Sequence, residues 1–235
     1  MLKDIFKDFV TTVNGMGVEV VKVTGQEDHV YFETSSKDRL IIIKAKTKKP
    51  LEEIPKGKVF GMSDIPLLSG YINLPMFKDN VDIKLTDSAM TFSGNGTTMR
   101  YVIMTEAGIP RQLEYNAPDW NVAGIKPTKQ KVGELSALSK VLEPSVKFNV
   151  EEGVLKVLMG ENPTTNGGMM DFADAPTDTV DMNFLNNYNA GTLLLSFGKV
   201  SNSDVCVNIS NRGVIEVQID TGLMEYKIIY RGTKS

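Results

Sequence analysis

The sequence predicts an α+β protein made of two tandem domains, each with two helices packed on antiparallel sheets. Three observations carry this: a helical stripe in the first fourteen residues, a change to period-two patterning behind it, and the return of the same order of elements after residue 130. Leu2, Ile5, Phe6, Phe9, Val10 and Val13 stand at i, i+3, i+4 spacing, with Asn14-Gly15 as a stop, which predicts a helix over 2–14. Strands are expected at 18–23, 30–34, 39–46 and 58–61, where alternating or continuous short apolar runs occur. Ser63-Asp64-Ile65-Pro66 then offers a capping residue and a first-turn proline, and Leu67, Leu68, Tyr71 and Ile72 supply a second short helix. Strands resume at 81–85, 89–93, 98–104 and 111–115, with Asn95-Gly96 as a hairpin turn.

Residues 116–130 hold two prolines, a glycine and no sustained period, so a connector is expected over 118–130, between a first domain at 1–117 and a second at 131–235. In the second, Val132, Leu135, Leu138, Val141 and Leu142 repeat the helical stripe. Strands are expected at 146–150, 154–159, 168–173 and 179–183, a short helix at 184–190, and strands at 192–197, 204–209, 213–219 and 224–230. A repeat of about 115 residues is far longer than any solenoid period, so the pattern is a duplicated domain.

Composition narrows the function classes. Net charge is −3, so nothing in the global balance marks a basic nucleic-acid-binding domain, and any such contact must come from local charge. No apolar run reaches the roughly 18 residues of a membrane span, and the charges in MLKDIFKDF interrupt any signal-peptide core. The expected location is the cytoplasm. One cysteine, Cys206, leaves no intramolecular disulfide and no thiolate metal cluster.

Catalytic parts are scarce, and no catalytic residue, metal ligand set or cofactor is assigned. His29, the only histidine, follows Glu27-Asp28 in a hairpin turn and is more simply a solvated loop residue than a catalyst. Cys206 alternates with Val205 and Val207, as a buried strand thiol would. Ser93-Gly94-Asn95-Gly96 leads into a strand, whereas a phosphate cradle must lead into a helix. The six lysines between Lys44 and Lys58 read as a solvated loop that could touch a partner.

The helix faces say more. Lys3, Lys7, Thr11 and Asn14 form one polar stripe, with Asp4 and Asp8 beside it. In the second half Ser136, Ser139 and Lys140 are the exposed positions, with Lys126, Lys129 and Lys131 just upstream. Periodicity alone leaves two readings equally open, an ordinary solvated face and a face for loose, sequence-independent phosphate contact. Trp120, in the connector, either packs against a domain or forms part of a binding groove.

The two halves, and the phrases LKDIFKDFVTTVNG, SDIPLLSGYINL, GELSALSKVLEP, VKFNVEEGVLKVLMG and GVIEVQIDTGLMEYKIIY, resemble the subunit of ring-shaped DNA sliding clamps. The closest likeness in plan is to the homotrimeric clamps of tailed bacteriophages, similar in turn to the eukaryotic and archaeal clamps. The resemblance implies two tandem clamp domains assembling into a closed ring. It implies a non-enzymatic processivity factor that encircles double-stranded DNA, tethers the replicative polymerase and is opened by a clamp loader. It also implies that Lys3, Lys7, Lys78, Lys131 and Lys140 face DNA, and that a partner peptide docks near Trp120, Val122, Ile125, Ile228 and Tyr230. Two departures stand: the family opens with a strand ahead of its first helix, and the expected helix at 184–190 carries asparagines in place of lysines. The rival class is a β-rich phage tail or capsid protein, which would not need paired amphipathic helices at matching offsets.

Overall fold

The computed structural model describes residues 1–77, 81–160, 166–177 and 179–234. It divides into two compact units, Met1–Glu114 with Thr221–Tyr226, and Tyr115–Asp220 with Lys227–Ser235. Residues 118–130, expected as a connector, fall within the second unit.

The first unit opens with helix α1 (Leu2–Val13), followed by strands β1 (Val20–Gly25), β2 (Val30–Ser35), β3 (Ile41–Thr47) and β4 (Val59–Ser63). Helix α2 (Ile65–Ile72) and a 3-10 turn at Pro75–Phe77 lead to β5 (Asp82–Leu85), β6 (Ala89–Gly94), β7 (Thr97–Val102) and the short β8 (Met104–Thr105). One sheet runs β8-β4-β1-β2-β3, and a second runs β5-β6-β7. Asn95 and Gly96 take φ of 47° and 75°, the left-handed pair that a tight hairpin between β6 and β7 requires.

The apolar stripe of α1 is buried along its whole length. Phe9 stacks on Phe32 of β2 with ring centroids 4.8 Å apart, and Phe6 meets the same ring edge-on at 6.3 Å. The opposite side of Phe9 faces Tyr226, at 6.4 Å. Each such ring contributes roughly 1.5–3 kcal/mol on burial. The Tyr226 hydroxyl donates to Asp8 Oδ2 at 2.6 Å, and Thr221 Oγ1 donates to the same oxygen at 2.9 Å. Burial, and then the Asp8 charge, push the Tyr226 pKa well up, so it remains a neutral donor. The helix ends where the Asn14 N–H closes on the Val10 carbonyl at 3.0 Å and Gly15 turns to φ 83°.

The second unit contains β9 (Val122–Ile125), α3 (Lys129–Leu138), β10 (Ser145–Glu151), β11 (Val154–Met159), β12 (Gly168–Asp174), β13 (Met182–Asn183) and β14 (Asn186–Asn189). Helix α4 (Ala190–Phe197), a 3-10 turn at Gly198–Ser201, β15 (Asp204–Ser210), β16 (Val214–Asp220), β17 (Met224–Arg231) and β18 (Thr233–Lys234) complete it, with Met224–Tyr226 of β17 counted in the first unit. One sheet runs β12-β11-β10-β14-β18, with β13 also on β10, and the other chain of neighbours runs β9-β15-β16-β17. Strand for strand, β18-β14-β10-β11-β12 repeats β8-β4-β1-β2-β3, and β15-β16-β17 repeats β5-β6-β7. The duplication expected from sequence is therefore present in the pairing map.

Four local expectations are corrected. Residues 111–115, expected as a strand, lie in a longer stretch, 110–120, that has no regular secondary structure. The run 192–197, expected as a strand, is the body of α4, and 186–189, expected within a helix, is strand β14. The Asn189 side chain accepts the Thr192 N–H at 3.1 Å and so starts the helix there. Leu193 and Phe197, one turn apart, are fully buried, and the Tyr230 hydroxyl donates to the Thr192 carbonyl at 3.0 Å while sitting 2.5 Å from Ser196 Oγ. Finally, α3 stops at Leu138, so Val141, expected on its buried stripe, is 82% exposed.

Removing the Tyr226 hydroxyl (Tyr226→Phe) takes one of two side-chain donors from Asp8, and urea unfolding should show a loss of about 1–3 kcal/mol. Asn189→Ala should lose about 1 kcal/mol through the α4 cap, and an unchanged midpoint in both variants would contradict these assignments.

Candidate nucleic-acid interface

The exposed side of α1 carries Lys7 and Thr11, flanked by Lys3 and Asn14. Lys7 is exposed, whereas Lys3 is half-buried and its ammonium donates to the Phe77 carbonyl. Asp4 pairs with the N-terminal ammonium at 3.5 Å, and Asp8 turns to Tyr226 and Thr221. The stripe is thus a sparse row of one free-standing lysine, one tethered lysine and small polar groups.

Helix α3 repeats that row. Val132 and Leu135 are its buried positions, as Phe6 and Phe9 are on α1, and this phase sets Lys129, Gly133, Ala137 and Lys140 where α1 has Lys3, Lys7, Thr11 and Asn14. Lys129 and Lys140 are both exposed, although Lys140 lies just beyond the last helical residue. Lys131, expected to face DNA, sits off the row and pairs with Glu134 at 3.0 Å. The hydrogen bond from Lys131, then that from Gln130, hold the Glu134 carboxyl below its ordinary range. Lys129 is the residue the sequence reading did not select; the signal for it was Thr128, whose hydroxyl accepts the Lys131 N–H at 3.2 Å and starts the helix one residue later. Lys78 lies outside the described residues.

Helices α2 and α4 contain no charged residue; Lys199 follows α4 in the 3-10 turn. The absence of lysine from the fourth helix therefore holds, but for residues 190–197 and not for the asparagines at 186, 187 and 189.

The residues expected to receive a partner peptide are placed otherwise. Val122, Ile125, Ile228 and Tyr230 are between 0% and 3% exposed in the core of the second unit, so they offer no surface to a peptide. They are buried strand positions, and short apolar runs of this kind cannot be separated from an apolar groove by sequence. Trp120 is half-buried. An open cavity of about 410 Å³ lies instead in the first unit, between the sheet and residues 106–114. Its floor is the cross-strand row Lys22, Glu33 and Lys44, and its wall includes Ile109, Pro110 and Leu113. Gly61 lets the wall approach: a Cβ there would stand 3.0 Å from Ile109 Cγ1 and 3.1 Å from Met104 Cβ.

The remaining candidates resolve into structure. Among the lysines of 44–58, Lys44 lies 4.0 Å from Glu33, Lys46 is 3.0 Å from Glu225, Lys56 is 2.9 Å from Glu27, and Lys58 pairs with Asp87. His29 contacts Asp28 at 2.6 Å in its turn. Burial raises the Cys206 thiol pKa, which disfavours the thiolate a nucleophile would need.

A fold of paired helix–sheet units with this strand order is that of the PCNA-type sliding clamps. A structure described as the C-terminal region of FEN-1 bound to A. fulgidus PCNA matches with a TM-score of 0.78 at 10% identity, covering 99% of this chain and 96% of that one. The PCNA2–PCNA3 complex from Sulfolobus tokodaii matches at 0.73 with 10% identity, and the proliferating cellular nuclear antigen of Entamoeba histolytica at 0.73 with 9%, each covering 98% of this chain and 96% of the other. No protein-family model and no curated protein sequence matches the chain.

Replacing Lys131 by Met should let the Glu134 carboxyl titrate at higher pH, followed by carbon NMR. The pair's small stabilisation exists above the unfolded carboxyl pKa and fades as pH falls through the lowered folded one; a Glu134 titration unmoved by the substitution would place its perturbation elsewhere.

Proposed function

We propose that this protein is a DNA sliding clamp: a ring of identical subunits that encircles duplex DNA without sequence preference and tethers a polymerase, performing no chemistry itself. The observation that carries this reading is the likeness of fold to PCNA-type clamps over 99% of the chain. Topology, and not contact energy, would hold such a ring on DNA, which reconciles a net charge of −3 with a DNA function. Lys7 on α1 and Lys129 and Lys140 on or beside α3 are the residues best suited to touch phosphate, with Lys3 partly committed to Phe77. So few cations would attract the duplex and let it slide, since each neutralised phosphate adds salt-dependent affinity.

The strand edges support assembly. Strand β3 has a neighbour in Met224–Tyr226 of β17, but β12, the counterpart of β3, and β7, the counterpart of β17, each end their sheet among the described residues. Pairing β12 of one copy with β7 of the next would repeat that arrangement between subunits, a head-to-tail contact that closes into a ring. Exposed apolar residues lie on both edges, Met169 at 57% and Val102 at 64%. Three copies is the number that the resemblance to bacteriophage clamps implies. A polymerase and a clamp loader would each reach the ring through an extended peptide, for which the cavity above Lys22, Glu33 and Lys44 and the half-exposed Trp120 are two candidate surfaces. Such a protein would act in the cytoplasm, of the host cell if phage-encoded.

The test is retention on DNA. Loaded protein should remain on circular DNA, run off the same DNA once linearised, and have the mass of three chains in solution. Release from both forms alike would remove the clamp reading. Met169→Asp should reduce the assembly to single chains by ultracentrifugation. Lys7→Glu combined with Lys129→Glu should weaken DNA attraction and lower the salt dependence by about one unit per lysine.

A further inference from the structure

In the first unit β3 meets Leu223–Tyr226 along a junction that carries a charge pair. The Lys48 N–H donates to the Leu223 carbonyl at 3.1 Å, and two residues back the Lys46 ammonium stands 3.0 Å from the Glu225 carboxylate. Numbers fall along one segment as they rise along the other, so the two run antiparallel, with a cation on β3 facing an anion on β17.

The counterparts of β3 and β17 are β12 and β7, and their outward residues offer the same kind of pair with the signs reversed. On β7, Thr98, Arg100 and Val102 are exposed, whereas Tyr101 is buried and lies opposite Met90 of β6 on the core side. On β12, Met169 and Asp171 are exposed, and Met170 lies opposite the buried Val157 of β11. Among the described residues neither Arg100 nor Asp171 forms an ion pair. The Arg100 guanidinium reaches Ser88 Oγ at 3.5 Å, and Lys156 of β11, opposite Asp171, pairs with Glu151.

One antiparallel register satisfies both strands. With Arg100 opposite Asp171, Val102 falls opposite Met169, and the inward Tyr101 falls opposite Met170. A slip of two residues sets Arg100 against Met169 or Val102 against Asp171, and a slip of one turns core-facing side chains against outward ones. Polarity discriminates as well. In the place of β3, β12 would bring Asp171 to Glu225, and in the place of β17, β7 would bring Arg100 to Lys46. Both mismatches set like charges face to face.

We propose that Arg100 and Asp171 are the specificity-determining pair of the contact between copies of this chain. They fix the antiparallel register of β7 on β12, and their polarity, opposite to that of Lys46 and Glu225, keeps each edge from taking the wrong partner. The occupant of each edge is a second copy, because the charge and the apolar residue that complement one edge stand on the other. The inference rests on the head-to-tail assembly proposed above and names the residues that specify it.

Charge reversal tests it in the full chain. Arg100→Glu and Asp171→Arg should each raise the dissociation constant of the assembly about ten-fold by ultracentrifugation, and the two together should bring it back near the parent value. Parent and combined variant, mixed, should sort into separate assemblies by native mass spectrometry, since every mixed contact sets like charges together. Unaffected single variants, a combined variant no better than the singles, or free mixing would each overturn the pairing while leaving a ring assembled in another register. A parent that stays a single chain at every concentration overturns the pairing and the ring together. Recovery and sorting in a protein that is not retained on circular DNA uphold the pairing and remove the DNA reading alone.

Discussion

The burial of the α1 aromatic face is the constraint on which the first unit depends. Phe6 and Phe9 leave water against Phe32, and Phe9 also against Tyr226, which arrives from a segment more than two hundred residues away in sequence. Its hydroxyl is drawn in beside Asp8, so the same contact that fills the core also decides which face of α1 remains outside. That face keeps Lys7 and Thr11 in solvent. A helix with a different phase would bury a lysine or expose a phenylalanine, and either change costs more than any single surface contact returns.

The second unit solves the same problem with less apolar material. Helix α3 buries Val132 and Leu135, and α4 buries Leu193 and Phe197, the latter ring 5.4 Å from Phe172. Equivalent phases leave equivalent rows outside, which is why a sparse set of lysines recurs although the two halves share almost no residues in common. Duplication acts here at the level of the pairing map and the buried face, and leaves the exposed residues free to differ. Charge is the freest of all: α2 and α4 carry none, and Lys44, Lys46, Lys56 and Lys58 are drawn into ion pairs. Surface pairs of this kind add little stability, so their effect is to leave few uncommitted cations.

Strand edges carry the rest of the functional reading. A sheet whose counterpart gains a neighbour within the chain, while its own edge has none among the described residues, leaves backbone donors and acceptors open along that edge. The edges of β7 and β12 carry exposed apolar residues, whereas β5 carries an ion pair. The difference matters because covering Asp82 and Lys84 calls for matching charge, whereas covering Met169 or Val102 does not.

By itself the sequence determined what depends on neighbours close in the chain. The α1 stripe, the Asn95-Gly96 hairpin, the Asp64 cap and the alternation of most strands follow from periods of 3.6 and 2 and from turn chemistry. The duplicated order, and with it the resemblance to clamp subunits, was legible for the same reason. Tertiary structure alone decided the remainder. The apolar run at 192–197 fits a strand or a buried helix equally until the Asn189 cap and the Tyr230 hydroxyl select α4. Val122, Ile125, Ile228 and Tyr230 look like a groove or a core until their partners are in place, and the core takes them. Whether Lys129 or Lys131, two positions apart, shares a face with Lys140 depends on the phase of the helix, and whether a strand edge is open depends on pairings between residues far apart in the chain. Local patterns specify which face of an element is apolar; only the folded chain specifies what that face meets.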